Sequence, residues 1–343
     1  MAMPLRKPLR LPGFLAGVGL TMLACYFAAA ALPHDGYIRY QAMSGTIFER
    51  VRWAYERTHF DDAPVDIAFI GSSRTARGVI STDLEARLAA QGIDKRIVNF
   101  SIPAAGFDIR YALARELLSQ KTPDLLVISV VEQFPRLGHQ AFGELATSAE
   151  VLGSPWIVNA TLPENLARLP LRQLQLAAAS QLPEAFGYRR NFDSGAYAGT
   201  SVDPRIFNPG KKAGPKTAED IEALERESRF RRRSITQPIL PDALGWVEFG
   251  IPRTYLRRIA RLAEDHGVQI VFLHLPFYGG YPEPFERAWL EQYGPVLTAD
   301  FLAGDPLHYN DVAHASELGA ARITNWLTDE LARLLKERET SSE

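Results

Sequence analysis

The sequence contains a single cysteine, Cys25, among its 343 residues. One cysteine excludes an intramolecular disulfide, a zinc site built on several thiolates and a Cys-x-x-Cys redox motif. The seven histidines are scattered and form no His-x-x-x-His pair, so the sequence offers no recognisable metal site. The formal net charge is only −2, which gives no reason to expect a nucleic-acid partner. We therefore expect neither a metal nor another cofactor.

Charge is also absent from one long segment near the N-terminus. Residues 11–32 carry no charged side chain, and about 20 apolar residues suffice to cross a bilayer as a helix. Three basic residues precede this segment: Arg6, Lys7 and Arg10. Because basic flanks tend to stay in the cytoplasm, we predict that residues 1–33 anchor the protein in the inner membrane and that the rest of the chain lies in the periplasm.

Two other interpretations of this segment remain open, and both also export the domain. Small residues at positions 28–31 suit signal-peptide cleavage, which would release a secreted protein. The stretch that ends at Cys25 loosely resembles a lipoprotein cleavage box, but the residues after Cys25 remain apolar, which argues against lipidation. We favour the uncleaved anchor because of the length of the apolar segment.

Strand-like and helix-like patterns alternate in two parts of the chain. Apolar runs predict buried strands within residues 65–73, 96–103, 123–132 and 268–276, with a shorter strand near 295–301. Helical patterns predict helices at 81–92, 107–121, 252–267 and 315–338. Near-continuous apolar runs are typical of parallel strands that are covered on both faces. We therefore predict an α/β fold, specifically a flavodoxin-like three-layer α/β/α sandwich with a parallel sheet.

The other segments are arranged around this domain. Residues 65–136 and 250–337 would form the α/β domain, and residues 34–64 would form a juxtamembrane connector helix. The alternation is absent between residues 137 and 249, which we interpret as an insertion that caps one edge of the sheet. Within the insertion, the basic run 229–233 ends a charged helix. Such a run either binds an anion or is a solvated helix end, where cations are favoured, and we favour the second interpretation.

Polar residues follow the predicted strands, at the edge where a parallel sheet binds ligands. They are Ser73 and Arg74 after the first strand, Asn99, Ser101 and Gly106 after the second, Gln133 after the third, and His274 after the fourth. Asp311 and His314 lie in the loop before the last helix. A serine becomes a nucleophile when a base accepts its proton and a third group orients the base. We predict that Ser73 is the nucleophile, His314 the base and Asp311 the orienting carboxylate.

Three blocks resemble those of the SGNH (GDSL-type) hydrolase superfamily. They are "IGSS" at 70–73, "NFSIPAAG" at 99–106 and "DVAHASELGA" at 311–320. The resemblance covers residues 64–136 and 250–335 and leaves out the insertion. It implies the same roles for Ser73, His314 and Asp311. It also implies that the backbone N–H groups of Ser73 and Ser101 bind the oxyanion, unless Gly106 takes the place of Ser101.

The form "GSSRT" after a single N-terminal span is similar to a membrane-anchored branch of that superfamily. That branch occurs among proteins of cell-envelope and exopolysaccharide O-acylation, such as those that modify alginate or teichoic acid. The resemblance implies an O-acyltransferase that passes an acyl group, such as acetyl, from Ser73 to a glycan acceptor. It further implies a multispanning membrane acyltransferase as the partner that supplies the acyl group.

The third block of the superfamily is missing from this chain. Its Gly-x-Asn-Asp pattern is absent, and the third strand ends in "VVEQF" at 130–134. The side-chain amide that completes the oxyanion hole is therefore lost, unless Gln133 replaces it, and one such donor is worth roughly 100- to 1,000-fold in rate. Two alternatives to transfer thus stay open: an esterase that hydrolyses acyl esters, and an inactive glycan-binding or scaffold protein on the same fold.

Other assignments keep a second interpretation. Arg74 either binds a substrate anion at the mouth of the site or pairs with a nearby carboxylate. His274, at a strand end, is more easily explained as a packed residue than as a ligand. Asp305 and His308 form a second Asp-x-x-His pair, but the pair at 311 and 314 directly precedes the final helix, and we favour it for that reason.

Overall fold

The structure is a computed structural model that describes residues 11–202 and 216–342, so the three basic residues that predict the membrane orientation lie outside the described residues. The strands are β1 (Ile67–Ile70), β2 (Ile97–Asn99), β3 (Leu125–Val130), β4 (Gln269–His274) and β5 (Val296–Thr298). They form one parallel sheet in the order β2-β1-β3-β4-β5. This is the strand order of flavodoxin-like sheets. The predicted α/β fold with a parallel sheet is confirmed.

Helices occupy most of the remaining chain. The α-helices are α1 (Leu11–Ala30), α2 (Gly36–Gln41), α3 (Arg50–His59), α4 (Ser73–Gly78), α5 (Ser81–Ala90), α6 (Phe107–Leu118), α7 (Phe142–Leu145), α8 (Ser148–Leu152), α9 (Leu162–Gln181), α10 (Ala218–Ser234), α11 (Gly245–Glu248), α12 (Gly250–Asp265), α13 (Arg287–Leu290) and α14 (Glu317–Ser342). Short 3-10 helices cover Pro183–Phe186, Asp242–Leu244, Asp300–Leu302 and Pro306–His308. The four helices predicted in the α/β domain correspond to α5, α6, α12 and α14.

Side chains of β1 alternate between two apolar cores. Ile67 and Phe69 point into a core that they share with α5 and α14. Ala68 and Ile70 point into a second core, which contains residues of α3, α6 and α12. All four side chains are fully buried, as expected for a strand that is covered on both faces. The sheet is therefore the middle layer between two layers of helices.

β1 occupies the point at which the strand order reverses. The chain leaves β1 through α4 and α5 to reach β2 on one side, and then returns through α6 to β3 on the other side. Ligands of open parallel sheets bind outside the carboxyl ends of the strands at such a switch point. The residues that follow β1, beginning at Gly71, occupy this position.

The connector between α1 and the domain differs from the prediction. The sequence predicts one helix within residues 34–64, but the structure has two helices, α2 and α3, joined by turns. Gly45 adopts a left-handed conformation, with φ of 75°, in this joint. A helix cannot continue through such a residue, and glycine is the residue that adopts this conformation without strain. Val51 and Trp53 of α3 are buried in the core of the domain.

The insertion predicted at residues 137–249 does more than cover one sheet edge. Helix α9 packs on both α7 and α8, and it also contacts α1 and α2. Helix α10 crosses the carboxyl edge of the sheet. Just before it, Lys216 Nζ donates to the Asn310 carbonyl oxygen at 3.4 Å. Near its end, Ser228 Oγ donates to the Tyr278 carbonyl oxygen at 2.6 Å. The helix thus bridges the loops before α14 and after β4.

Helix α1 is long and apolar enough to cross a membrane, a property that a signal sequence shares. Large apolar side chains along it, such as Leu20 and Met22, are exposed. Its last turns contact the domain: the Tyr26 hydroxyl donates to the Leu166 carbonyl oxygen of α9 at 2.8 Å, and Ala30 is buried. The end of α1 is therefore packed against α9, whereas the rest of the helix is uncovered.

Candidate active site

Ser73 begins α4 directly after β1. Gly71 allows the tight approach between strand and helix, because a Cβ at this position would lie 2.5 Å from both the Ser129 and the Thr75 hydroxyl oxygens. The Ser72 N–H donates to Ser129 Oγ at 3.3 Å, and the Ser72 hydroxyl caps α4. Ser73 is thereby held half-buried at the carboxyl edge of the sheet. Its N–H donates to no acceptor within the described residues.

The side chains of Ser73, His314 and Asp311 form a continuous hydrogen-bonded chain. His314 Nε2 lies 2.8 Å from Ser73 Oγ. His314 Nδ1 lies 2.8 and 2.9 Å from the two carboxylate oxygens of Asp311. Because an ionised carboxylate only accepts hydrogen bonds, Nδ1 of the neutral ring carries the proton and Nε2 accepts from the serine hydroxyl. This geometry allows the imidazole to withdraw the serine proton.

The loop before α14 has local interactions that place Asp311 and His314 side by side. Asp311 Oδ1 accepts from the N–H groups of Ala313 and His314, each at 3.0 Å. Ser316 Oγ then accepts from the Gly319 N–H at 3.1 Å, at the start of α14. A Cβ at Gly319 would lie 2.1 Å from the carbonyl oxygen of residue 308, so this glycine lets α14 pack directly on the loop. The loop thus places the Asp311 carboxylate in contact with the His314 imidazole, three residues later in the chain.

Asp311 is ionised in this arrangement. Burial raises the pKa of Asp311, but hydrogen bonds from the His314 ring and from the N–H groups of Ala313 and His314 outweigh burial and lower the pKa to about 2. Arg77 Nη1 lies 3.8 Å from Asp311 Oδ2 and adds positive charge on the outer side. An ionised carboxylate at this position would stabilise an imidazolium if His314 accepted a proton from the serine.

Arg74 forms a buried ion pair with Glu132, at the end of β3. Arg74 Nη1 lies 2.6 Å from Glu132 Oε1 and also donates to the Leu275 carbonyl oxygen at 3.1 Å. Burial raises the pKa of Glu132, but the charge and hydrogen bond of Arg74 outweigh it, so that the pKa lies below its usual range. Of the two interpretations of Arg74, the structure favours pairing with a carboxylate over substrate binding.

Asn99 and Ser101 must be corrected as site residues. Asn99 Nδ2 donates to the carbonyl oxygens of Thr75 and Val79 at 3.1 and 3.0 Å, which fixes the backbone of α4. Asn99 Oδ1 accepts from the Ser101 N–H at 3.1 Å. Both residues are completely buried. The Ser101 N–H is therefore used inside the fold and is not available to an oxyanion, and Asn99 does not reach a substrate.

Gly106 and Gln133 remain predictions as oxyanion donors. Gly106 is buried at the start of α6, where a Cβ would lie 2.6 Å from both Asp108 Oδ1 and His139 Cβ. The Gly106 N–H has no acceptor in the described part of the chain. Ser101 and Gly106 are the two candidates from the second block, and of these Gly106 has the backbone N–H that is free to donate. Gln133 is half-buried, and its side chain makes no hydrogen bond to residues 11–202 or 216–342.

The other two histidines considered in the sequence, His274 and His308, contact groups other than Ser73. His274 is completely buried, and its Nε2 lies 3.0 Å from the Tyr281 carbonyl oxygen, in agreement with a packed role. His308 Nε2 lies 3.6 Å from Asp305 Oδ2 and 2.9 Å from Arg322 Nη1. Among the described residues, His314 is the histidine that contacts Ser73.

Two further residues support the site, although the sequence assigns them no role. The hydroxyl oxygen of Ser129, on β3, accepts a hydrogen bond from the Ser72 N–H, and the Glu132 carboxylate forms an ion pair with Arg74. Both lie at the carboxyl end of β3, the strand that pairs with β1. Their position in the chain indicates the correct edge of the sheet, but the contacts depend on which strands are neighbours. The order of the strands in the sheet cannot be inferred from the sequence around either residue.

In the part of the chain that the structure describes, no group of three or more His, Cys, Asp or Glu side chains is placed to hold a metal ion. No family model matches the chain, and no curated protein matches it.

Proposed function

We propose that this protein is an SGNH-type serine enzyme that acts on acyl esters outside the cytoplasmic membrane, as an O-acyltransferase of an envelope or secreted polysaccharide. The observation that carries this proposal is the position of the His314 ring between the Ser73 hydroxyl and the Asp311 carboxylate. Nucleophile, base and orienting group in hydrogen-bond contact are the requirement for covalent acyl transfer.

In the first half of the reaction, Ser73 Oγ attacks the carbonyl carbon of an acyl donor. His314 Nε2 accepts the hydroxyl proton, and the ring becomes an imidazolium paired with Asp311. When the tetrahedral intermediate collapses, the bond to the leaving group breaks and Nε2 returns the proton to that group. The product is an ester of Ser73. The free Ser73 N–H, and in our proposal that of Gly106, would donate to the oxyanion.

In the second half, a sugar hydroxyl attacks the acyl-Ser73 carbonyl. His314 Nε2 takes the proton of this hydroxyl and then gives it to Ser73 Oγ as the ester bond to the enzyme breaks. The acyl group leaves on the glycan, and the enzyme is regenerated. If water attacks in place of the sugar, the same steps release the free acid, and the protein is an esterase.

The esterase remains the second candidate because the base is open to solvent. The His314 side chain is 21% exposed and the Asp311 side chain 46% exposed. Water therefore has access to the acyl-Ser73 carbonyl unless an acceptor or a partner covers the site. A transferase with such a site needs the bound glycan or a partner protein to exclude water.

A retained membrane anchor is supported by the packing of α1. Cleavage at residues 28–31 would remove Tyr26 together with its hydrogen bond to α9. We propose that α1 anchors the protein in the inner membrane with the domain in the periplasm, as the basic N-terminal flank predicts. The acyl donor would then come from a multispanning membrane acyltransferase, a partner that the family resemblance implies.

The test uses the full-length protein in detergent with 4-nitrophenyl acetate as the acyl donor, with and without a glucan oligosaccharide. We expect release of nitrophenol and an acetylated protein, both lost in Ser73→Ala and retained in Ser119→Ala, which removes an exposed hydroxyl at the end of α6. Acetylated oligosaccharide would identify a transferase, and free acetate alone an esterase. Equal nitrophenol release by the wild type and Ser73→Ala would contradict both.

A further inference from the structure

The loop before α9 exposes three large apolar side chains in a row. Trp156 is 73% exposed, Ile157 is 59% exposed and Val158 is 48% exposed. They lie within residues 151–163, a segment that carries no charged side chain. An exposed apolar surface of this kind marks a site that contacts a membrane or another protein.

The loop is held in place at both ends. Before the apolar residues, Ser154 Oγ lies 2.8 Å from the Tyr255 hydroxyl of α12. After them, Asn159 Nδ2 donates to the Pro155 carbonyl oxygen at 3.0 Å. Val158 has φ of 55°, a left-handed conformation that β-branched residues rarely adopt. Such strain persists only where the surroundings enforce it, so the three side chains project from a fixed loop.

The start of α9 lies beside the outer end of α1. The Tyr26 hydroxyl, one turn before the end of α1, donates to the Leu166 carbonyl oxygen at 2.8 Å. Further along the chain, the Asp35 N–H donates to Ser180 Oγ at 2.9 Å. The chain that leaves α1 therefore runs in the same direction as α9. Because residues 156–158 precede α9, they lie on the side from which α1 arrives, and this is the membrane side when α1 is the anchor.

The loop also lies at the edge of the sheet that carries Ser73. The Ile157 carbonyl oxygen is 3.7 Å from the position that a Cβ on Gly250 would occupy. Gly250 begins α12, which packs on β4 and leads back to the first residue of that strand. The start of α12 is therefore level with the carboxyl ends of the strands. The apolar loop and Ser73 thus lie at the same end of the domain.

We propose that residues 156–158 insert into the periplasmic leaflet of the membrane that α1 crosses and hold the carboxyl edge of the sheet, with Ser73, towards the bilayer. This inference rests on the anchor in the proposed function. Tryptophan is enriched at the level of the lipid headgroups, where its ring is buried and its N–H meets water. Ile157 and Val158 would bury apolar surface at the same depth. An acyl donor delivered from the membrane would then have a short path to Ser73.

A bilayer fits this loop better than a protein partner does, because the loop continues the apolar surface of α1. Large apolar side chains along α1, such as Leu20, are exposed on the membrane side of the contact between Tyr26 and α9. The first charged residues after the loop, Glu164 and Arg168, are exposed and pair with each other at 2.8 Å. An ion pair beyond an apolar loop suits the polar headgroup region.

The experiment places the full-length protein in phosphatidylcholine nanodiscs whose acyl chains are either plain or brominated near the headgroup, since bromine quenches tryptophan fluorescence on contact. Trp246 is also exposed, so quenching at Trp156 is measured as the difference between the wild type and Trp156→Phe. The matched control is Trp326→Phe, which removes a half-buried tryptophan of α14 that packs with the core on the other face of the sheet.

Two probes added to Trp156→Phe test the orientation. Phe14→Trp places an exposed tryptophan in α1, and Leu182→Trp places one at the far end of α9. We expect brominated lipid to quench the wild type and Trp326→Phe more strongly than Trp156→Phe. Phe14→Trp should restore quenching, and Leu182→Trp should not, because α9 leads away from the bilayer.

Equal quenching of the wild type and Trp156→Phe, with Phe14→Trp quenched, would overturn this inference, leave the anchor intact and indicate a protein as the occupant of the loop. Quenching of Leu182→Trp as strong as that at Trp156 would also overturn it. An unquenched Phe14→Trp would contradict the anchor and this inference together. Because quenching needs no reaction, Ser73→Ala should be quenched like the wild type, so a failure of acyl transfer would contradict the proposed function alone.

Discussion

Replacement of Asp311 by Asn isolates the role of the carboxylate in orienting His314. Both Asp311 oxygens lie within 2.9 Å of Nδ1, so the carboxylate holds the ring with its proton on Nδ1 and its lone pair on Nε2 facing Ser73. The Asn amide can donate to Nδ1 and thereby favour the opposite tautomer, in which Nε2 carries a proton and cannot accept the serine proton. The same change in a serine-protease triad lowers kcat about ten-thousandfold. We expect a loss of roughly 1,000- to 10,000-fold here.

The assay is the second-order rate of Ser73 labelling by a fluorophosphonate, which requires an activated serine but no knowledge of the natural substrate. The variant should remain folded, because the Asn oxygen can still accept from the Ala313 and His314 N–H groups and the side chain is half-exposed. An unchanged thermal unfolding midpoint would verify this point.

The chain provides a matched control in its second Asp-x-x-His pair. Asp305 lies 3.6 Å from His308 Nε2 and accepts from the Leu307 N–H at 2.9 Å. Asp305→Asn retains that N-cap and should label at the wild-type rate. Labelling of Asp311→Asn within tenfold of the wild type would refute the orienting role. An equal loss in Asp305→Asn would show that the effect is not specific to the triad.

Three further predictions concern stability, each measured as the free energy of unfolding in urea. Gly71→Ala places a Cβ 2.5 Å from Ser129 Oγ and should lower the free energy of unfolding by about 1–3 kcal/mol. A second substitution, Ser129→Ala, should restore part of this stability. An unchanged free energy of unfolding in Gly71→Ala would contradict the close approach. Glu132→Ala leaves Arg74 buried without its partner and should cost about 3–5 kcal/mol, whereas replacing both with Leu and Met should recover most of it. Burial lowers the pKa of His139 from 6.5 to about 4, so this histidine binds more protons in the unfolded chain and its contribution to stability is lost as the pH drops from 6.5 towards 4. Burial raises the pKa of the neighbouring Asp108 to about 7, and that carboxyl acts in the opposite direction, so the His139 contribution is the difference between the wild type and a His139 variant. This loss is at most about 3 kcal/mol and should shrink in His139→Gln, which a pH series at fixed ionic strength would detect.

The architecture of the domain could be predicted because its signals are local. The apolar runs that become β1 to β4 are continuous and end in turn residues, which identifies strands covered on both faces. The helices at 81–92 and 107–121 likewise follow from apolar spacing and end residues. The connector was predicted as one helix from apolar spacing within residues 45–60. Helix α3 lies in that stretch, and the structure adds α2 on the other side of the left-handed Gly45.

The three residues of the proposed triad could be found because each follows from chemistry and from the topology of a parallel sheet. Ser73 follows the first strand, and Asp311 and His314 are three residues apart before the last helix. Parallel strands bring their carboxyl ends to one edge, so the long separation in sequence is no obstacle. The distances of 2.8 Å in the structure agree with that reasoning.

The supporting residues could not be predicted in the same way. Asn99 and Arg74 have the residue types of a binding site, yet their partners are backbone oxygens of Thr75 and Val79 and the carboxylate of Glu132. Which polar group is used inside the fold depends on packing between separate elements, and a sequence pattern does not record it.

The most direct measurement is peptide mapping by mass spectrometry after the full-length protein has reacted with a fluorophosphonate. We predict one modified residue, Ser73, with no adduct in Ser73→Ala or His314→Ala and an unchanged adduct in Ser119→Ala, which removes an exposed hydroxyl at the end of α6. A wild-type protein that stays unmodified under conditions that label a known serine esterase, or an adduct on another serine, would contradict the proposal that Ser73 is an activated nucleophile.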